Sequence, residues 1–146
     1  MDISITIPVF NGSRTIEKLV KEIKDNLNNS NFTFEIFLVD DRSTDNSWNC
    51  IEDLCRKYNF VKGIKLTSNF GQHNAAMAGL NYCNGEFVII MDDDLQHNPK
   101  YILKIIKMMK NKNCDVIVGV RDLINSRVKS LSFFRQSASF VLIKFL

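Results

Sequence analysis

Phe87-Val88-Ile89-Ile90-Met91-Asp92-Asp93-Asp94 joins an unbroken apolar run to three consecutive carboxylates. Five apolar residues without a polar break read as a central strand covered on both faces. The three acids then fall at its carboxyl end. Before this run, Ala75 to Tyr82 reads as a short Ala-rich helix. After it, Asn98-Pro99 supplies a cap with Pro at the first helical position, and Ile102, Leu103, Ile105, Ile106 and Met109 follow at helical spacing.

The rest of the chain repeats this alternation. Ile3-Ser4-Ile5-Thr6-Ile7 is a first strand stopped by Pro8, and Ile16, Leu19, Val20, Ile23 and Leu27 mark one helix face. Phe34 to Val39 is a second strand. Ser43, Thr44 and Asp45 offer N-caps to a helix carrying Trp48, Ile51, Leu54, Cys55 and Tyr58. Val61 to Leu66 and Val116 to Val120 complete a set of strands separated by helices. This order predicts an α/β fold, a mainly parallel sheet flanked by helices. Residues 1–122 are expected to form the core. Residues 123–146 are expected to be a loop followed by an apolar, basic and helical segment, able to lie on an anionic membrane surface through 131–146 or to cause self-association.

Composition narrows the class. The chain has 146 residues, 45% hydrophobic and 24% charged, which suits one globular domain. A net charge of +3 does not call for nucleic acid, and no such partner is expected. From Lys100 onward the only acids are Asp115 and Asp122, so the positive excess is C-terminal. Cys50, Cys55, Cys83 and Cys114 have no metal-ligand spacing and are expected to be reduced thiols of a cytoplasmic protein. Neither a leader nor a membrane-spanning run is expected.

Ligands of parallel α/β sheets bind beyond the carboxyl ends of the strands. Every strand here ends in polar residues: Pro8-Val9-Phe10-Asn11-Gly12, Asp40-Asp41, Ser68-Asn69-Phe70-Gly71-Gln72-His73, Asp92-Asp93-Asp94-Leu95-Gln96, and Arg121. In extended backbone, residues i and i+2 point the same way, so Asp92 and Asp94 are expected to face one site with Asp93 turned away. Paired carboxylates repel unless a cation joins them, and hard oxygen ligands suit Mg²⁺ or Mn²⁺, which in turn bind diphosphates. Asp40 or Asp41 can accept a nucleobase N–H, or simply favour a helix N-terminus. His73 and His97 are candidate bases, or else structural. Arg121 can clamp a phosphate bidentately, or form a surface ion pair.

These motifs, in this order, resemble glycosyltransferase family 2, the inverting enzymes of GT-A (Rossmann-like) fold, in the branch that uses dolichol and polyprenyl phosphates. The resemblance rests on Ser4 to Asn11, Val39 to Asp45, Asn69 to Gln72, Ile90 to Gln96 and Val118 to Arg121. It implies that Pro8 and Asn11 line a nucleotide pocket, that Asp40 contacts the base, and that Asp41 supports the loop. Phe10, Asn69 and Gln72 join them as substrate-binding residues. Asp92 and Asp94 become the D-x-D pair, with Asp94 the metal ligand and Asp92 beside it. Gln96 belongs to the D-L-Q extension, and Arg121 sits near the diphosphate or the acceptor phosphate. Asp94, Asp92 and Arg121 are thus the expected catalytic set. The implied reaction moves a sugar from a UDP- or GDP-sugar to a lipid-phosphate or glycan acceptor, at the cytoplasmic face of a membrane. The sequence departs from the family at Ser13, Arg42, Ser68 and Asp93, where an acid, a glycine, an arginine and a small residue are common. Two other readings stand beside it: a truncated or non-catalytic nucleotide-sugar-binding fragment, and a metal-dependent nucleotidyltransferase. The second lacks its usual Gly-rich basic loop between Pro8 and Arg14. A dinucleotide-dependent dehydrogenase is excluded by the missing G-x-G-x-x-G.

Overall fold

The computed structural model describes residues 1–112, 114–119 and 140–144. Strands β1 (Ile3–Val9), β2 (Phe34–Asp40), β3 (Val61–Lys65), β4 (Phe87–Met91), β5 (Val116–Gly119) and β6 (Phe140–Lys144) form one six-stranded sheet. Their order is β3-β2-β1-β4-β6-β5. β1 runs parallel to β2 and β4, and β2 to β3, while β6 is antiparallel to both β4 and β5. The sheet is therefore mainly parallel, as its alternating pattern predicts.

Helices α1 (Ile16–Leu27), α2 (Ser47–Lys57), α3 (Gln72–Leu80) and α4 (Ile102–Lys112) connect the strands, with a 3-10 turn at Pro99–Tyr101 leading into α4. Ile16, Leu19, Val20, Ile23 and Leu27 of α1 are all fully buried, the stripe their spacing predicts. They share one core with Ile3, Ile5 and Ile7 of β1, Phe87 and Ile89 of β4, and Ile102, Ile106 and Met109 of α4. Each such side chain contributes roughly 1.5–3 kcal/mol by leaving water. α2 starts later than its cap candidates because Asn11 already binds the Thr44 and Asp45 amides. Asp45 accepts instead from the Ser47 amide at 3.0 Å. α3 starts earlier than its apolar pattern, directly after Gly71.

The C-terminal segment requires a correction. Residues 140–144, expected to be helical and membrane-facing, form a strand between β4 and β5. Phe140-Val141-Leu142-Ile143 is as continuously apolar as β4, and an unbroken apolar run suits the middle of a sheet better than a surface helix with one polar face. The core therefore does not end at residue 122. The remainder of 123–146, including Leu131 to Ser139, lies outside the described residues. Among the described residues no helix is long and apolar enough to cross a membrane. The four cysteines are unbridged and half-buried.

At the amino ends of the strands, Glu35 is buried. Its carboxylate accepts from Ser4 Oγ and from Lys62 Nζ, both at 2.7 Å. Burial alone raises its pKa, but the hydrogen bonds from Lys62 and Ser4 win, and the net shift is downward. Ser4 Oγ in turn accepts the Gly85 amide at 2.8 Å and so fixes the turn into β4. A Cβ at Gly85 would lie 2.6 Å from the Ser4 nitrogen and 2.8 Å from the Ile3 carbonyl carbon. Gly85→Ala is expected to cost about 3 kcal/mol by overpacking against backbone, measured by urea denaturation. An unchanged midpoint would show that the turn yields freely.

Candidate functional site

The carboxyl ends of β1, β2 and β4 and the loop before α3 enclose a cleft of about 420 Å³. It is lined by Pro8, Val9, Phe10, Asp41, Asn69, Gly71, Gln72, Asp92, Asp93 and Asp94. Pro8, Phe10, Asp41, Asn69, Gln72, Asp92 and Asp94 of the expected set are thus brought together. Parallel pairing achieves this: Val9 and Asp40 stand in register, and the Asp41 amide donates to the Val9 carbonyl at 2.9 Å.

Two acids at the carboxyl end of β2, Asp40 as its last residue and Asp41 just beyond it, divide the work. Asp41 is buried, and its two carboxylate oxygens accept the amides of Phe70 and Gly71 at 2.7 and 2.8 Å. That clamp holds the Asn69–Gln72 loop over the cleft. Asp40 is wholly buried and does not line the cleft; its Oδ1 accepts the Ser43 amide at 3.2 Å. Among the described residues its Oδ2 has no hydrogen-bond partner. Asn11 does not line the cleft either. Its Oδ1 accepts the Thr44 amide at 2.9 Å, tying the β1 loop to the β2 loop. Asn11 and Arg42 both have left-handed backbone, φ 56° and 61°. The Arg42 conformation explains why glycine is common there in the family it resembles.

The acidic run bends rather than alternates. The strand ends at Met91, and Leu95 adopts φ 61°, so the i, i+2 rule no longer governs Asp92 to Asp94. Asp93, expected to turn away, instead lines the cleft. Its Oδ2 is buried, has no hydrogen-bond partner among the described residues, and packs where a Gly12 Cβ would be, 2.2 Å from it. Glycine at 12 is the signal that makes room for this carboxylate. Burial pushes the Asp93 pKa up to about 6; the Phe10 amide opposes this and the Asp94 charge adds to it. Asp92 is raised too, by burial first and further by the Asp94 charge. Gln72 Nε2 donates to Asp92 Oδ1. The Asp92 amide donates to His97 Nδ1 at 3.3 Å. That ring nitrogen is therefore an acceptor, and its 4.0 Å approach to Asp92 Oδ2 is not an ion pair. His97 thus supports the corner from beneath, whereas His73 is exposed on α3. Asp94 Oδ1 accepts the Gln96 amide at 2.9 Å; Gln96 does not line the cleft. Arg121 lies outside the described residues.

The Asp93 shift has a measurable consequence. A carboxyl raised in the folded state binds more protons there than when unfolded, so stability falls as pH rises from about 4 to about 6. In EDTA, Asp93→Asn is expected to remove this component, gaining about 2 kcal/mol over wild type at pH 7, after a discount for partial exposure, and little at pH 4. Parallel thermal melts at the two pH values check it; a difference that does not change with pH counts against it.

Among the described residues, no group of three His, Cys, Asp or Glu side chains is arranged to hold a metal. The acids nonetheless suit a hard divalent cation that keeps waters and is bound by one or two carboxylates together with substrate phosphates. The carboxylates of Asp92 and Asp94, both on the cleft wall, are the donor set consistent with such a shared site.

The family model "Glycosyl transferase family 2" matches residues 4–141. The dolichol-phosphate mannosyltransferase of Pyrococcus furiosus is 34% identical over 139 residues, covering 95% of this chain and 38% of that protein. The undecaprenyl-phosphate 4-deoxy-4-formamido-L-arabinose transferase of Proteus mirabilis is 36% identical over 138 residues, covering 94% of this chain and 40% of its own length. The chain thus spans about two fifths of the curated relatives it matches. Among solved structures, the mannosyltransferase PcManGT of Pyrobaculum calidifontis, in complex with GDP-Man and Mn²⁺, superposes with a TM-score of 0.76 at 16% identity, over 97% of this chain and 44% of that one. Residues 1–349 of S. aureus TarS with UDP-GlcNAc give 0.68 at 25% identity, over 97% of this chain and 45% of that one. Those superpositions establish the GT-A architecture, and the motif match over nearly the whole sequence establishes the lineage: this chain belongs to glycosyl transferase family 2.

Proposed function

We propose that the cleft binds the nucleotide diphosphate of a UDP- or GDP-sugar together with Mg²⁺ or Mn²⁺, as the donor half of an inverting transferase acting on a polyprenyl phosphate. The observation that carries this reading is the convergence of Asp92, Asp93 and Asp94 with the Asp41-clamped loop on one cleft. The relatives' names support the lipid-phosphate acceptor, and the GDP-Man and Mn²⁺ of the solved mannosyltransferase support the donor and the cation.

In this reading Asp94 and Asp92 hold the cation, which when bound supplies positive charge to the diphosphate leaving group. Pro8, Phe10 and the Asp41-held loop shape the space around the donor. Gln72 orients Asp92 through its amide, and His97 supports the Asp92 backbone. Asp40 and Asn11 brace the two loops, and Asp40 keeps one carboxylate oxygen for a base N–H if the loop opens. Gln96 remains a substrate-binding residue of this reading, and Arg121, outside the described residues, keeps the role of contacting the diphosphate or the acceptor phosphate. A phosphate monoester acceptor is largely anionic near neutral pH, with a second pKa of about 6, so attack on the anomeric carbon needs no strong base. The same reading puts catalysis at the cytoplasmic face of a membrane, since a polyprenyl-phosphate acceptor is held in the bilayer.

Calorimetric titration of UDP and GDP with Mn²⁺ and in EDTA tests the donor site, and equal affinity in both would remove the cation from the reading. The 146-residue chain is expected to bind donor yet transfer little sugar to polyprenyl phosphate, because the donor cleft is built before residue 95 and the chain spans about two fifths of the transferases it matches. Full turnover in a labelled-sugar transfer assay would show that the acceptor site is already complete.

A further inference from the structure

The exposed face of α4 differs from those of its neighbours. α1 pairs Lys18 with Glu22, and α2 pairs Arg56 with Glu52 and Asp53, the mixed pattern of a solvated helix. From Leu95 to Cys114 the sequence has no acid at all, yet it carries Lys100, Lys104, Lys107, Lys110 and Lys112. Among the described residues none of these lysines is within ion-pair distance of a carboxylate. Lys104 and Lys107, with Lys100 in the 3-10 turn just before them, lie on the exposed side of a helix whose opposite side, Ile102, Ile106 and Met109, is sealed into the core.

Two further side chains point to the occupant. Tyr101 is 48% exposed and Met108 37% exposed, and both fall within the basic stripe. Lysines interleaved with exposed apolar groups match a surface that is anionic outside and apolar just beneath. No arginine occurs between Leu95 and Gly119, so the bidentate forks favoured for nucleic acids and phosphopeptides are missing. The 3-10 turn that leads into α4 also begins at the corner that carries the acidic cleft, at Pro99, five residues after Asp94.

We propose that the Lys100–Lys107 face of α4 and its leading 3-10 turn docks on an anionic phospholipid bilayer, holding the mouth of the cleft beside the membrane surface. The lysines meet lipid phosphates as point charges, and Tyr101 and Met108 enter the interfacial layer. The docking is separate from donor binding: its residues lie outside the cleft, and its failure leaves the nucleotide site as described.

The test is co-sedimentation of the full chain with vesicles of phosphatidylcholine alone and with about a third phosphatidylglycerol, at low salt and at about 0.5 M, where the Debye length falls to roughly 4 Å. Binding is expected only to the anionic vesicles and is expected to weaken strongly at high salt. Each lysine at the surface is worth roughly fivefold, so Lys100→Gln/Lys104→Gln/Lys107→Gln should lose about a hundredfold. Lys57→Gln/Lys65→Gln, on α2 and the far edge strand, should bind like wild type. Nucleotide titration of each variant verifies that the fold is intact. Undiminished binding of the triple variant, or equal binding of wild type to neutral vesicles, would overturn the proposal. Capture on polyglutamate without vesicle binding would also overturn it, in favour of an acidic protein partner.

Discussion

Removal of residues 140–146 is expected to leave a chain with no cooperative unfolding transition. β6 pairs five residues with β4, from Phe87↔Lys144 to Met91↔Phe140, and four with β5. Without it β5 loses its partner strand, and β4 becomes an edge. At about 1 kcal/mol net per ladder hydrogen bond, the loss alone approaches the 5–15 kcal/mol by which domains are stable. A newly exposed apolar edge such as Phe87–Met91 also invites strand addition between copies. Far-UV circular dichroism in urea and size-exclusion chromatography read the two effects. A sharp transition near the wild-type midpoint, from a monomer, would show that the sheet closes without β6.

Asp94→Asn is expected to weaken Mn²⁺-dependent nucleotide binding by about a hundredfold or more, since a hard cation held by one or two carboxylates loses a charged ligand. Asp93→Asn is expected to stay within a few-fold of wild type. Asp93 faces the β1 loop, where the Phe10 amide and Gly12 surround it, and its ionised form is the one that burial disfavours. Both variants relieve repulsion among three neighbouring acids, so neither should lower the melting temperature. Calorimetry with and without EDTA separates the two. The opposite ranking, with Asp93→Asn the more damaging, would make Asp93 the ligand and reverse the roles assigned to the bend.

The amino-acid sequence alone determines the strand–helix alternation, the fully buried stripe of α1, the central character of β4 and the gathering of polar residues at one edge of the sheet. Each follows from local periodicity: 3.6 for Ile16 to Leu27, and a continuous apolar run for Phe87 to Met91. Parallel pairing then carries Pro8, Asp41 and Asp92 to a common edge whatever the details of the loops. What local pattern does not contain is partner choice and loop path. Phe140–Ile143 is apolar enough for a core helix, a surface helix or a strand, and only the open slot between β4 and β5 selects the strand. Asp92 to Asp94 look like an alternating strand end, but the positive φ of Leu95 and the space left by Gly12 turn all three into the cleft. Asp40 and Asp41 are adjacent and chemically identical. Asp41 is the one that clamps the Phe70–Gly71 loop because its side chain leaves the end of β2 beside two unpaired amides, a coincidence of distant segments that only the tertiary structure decides.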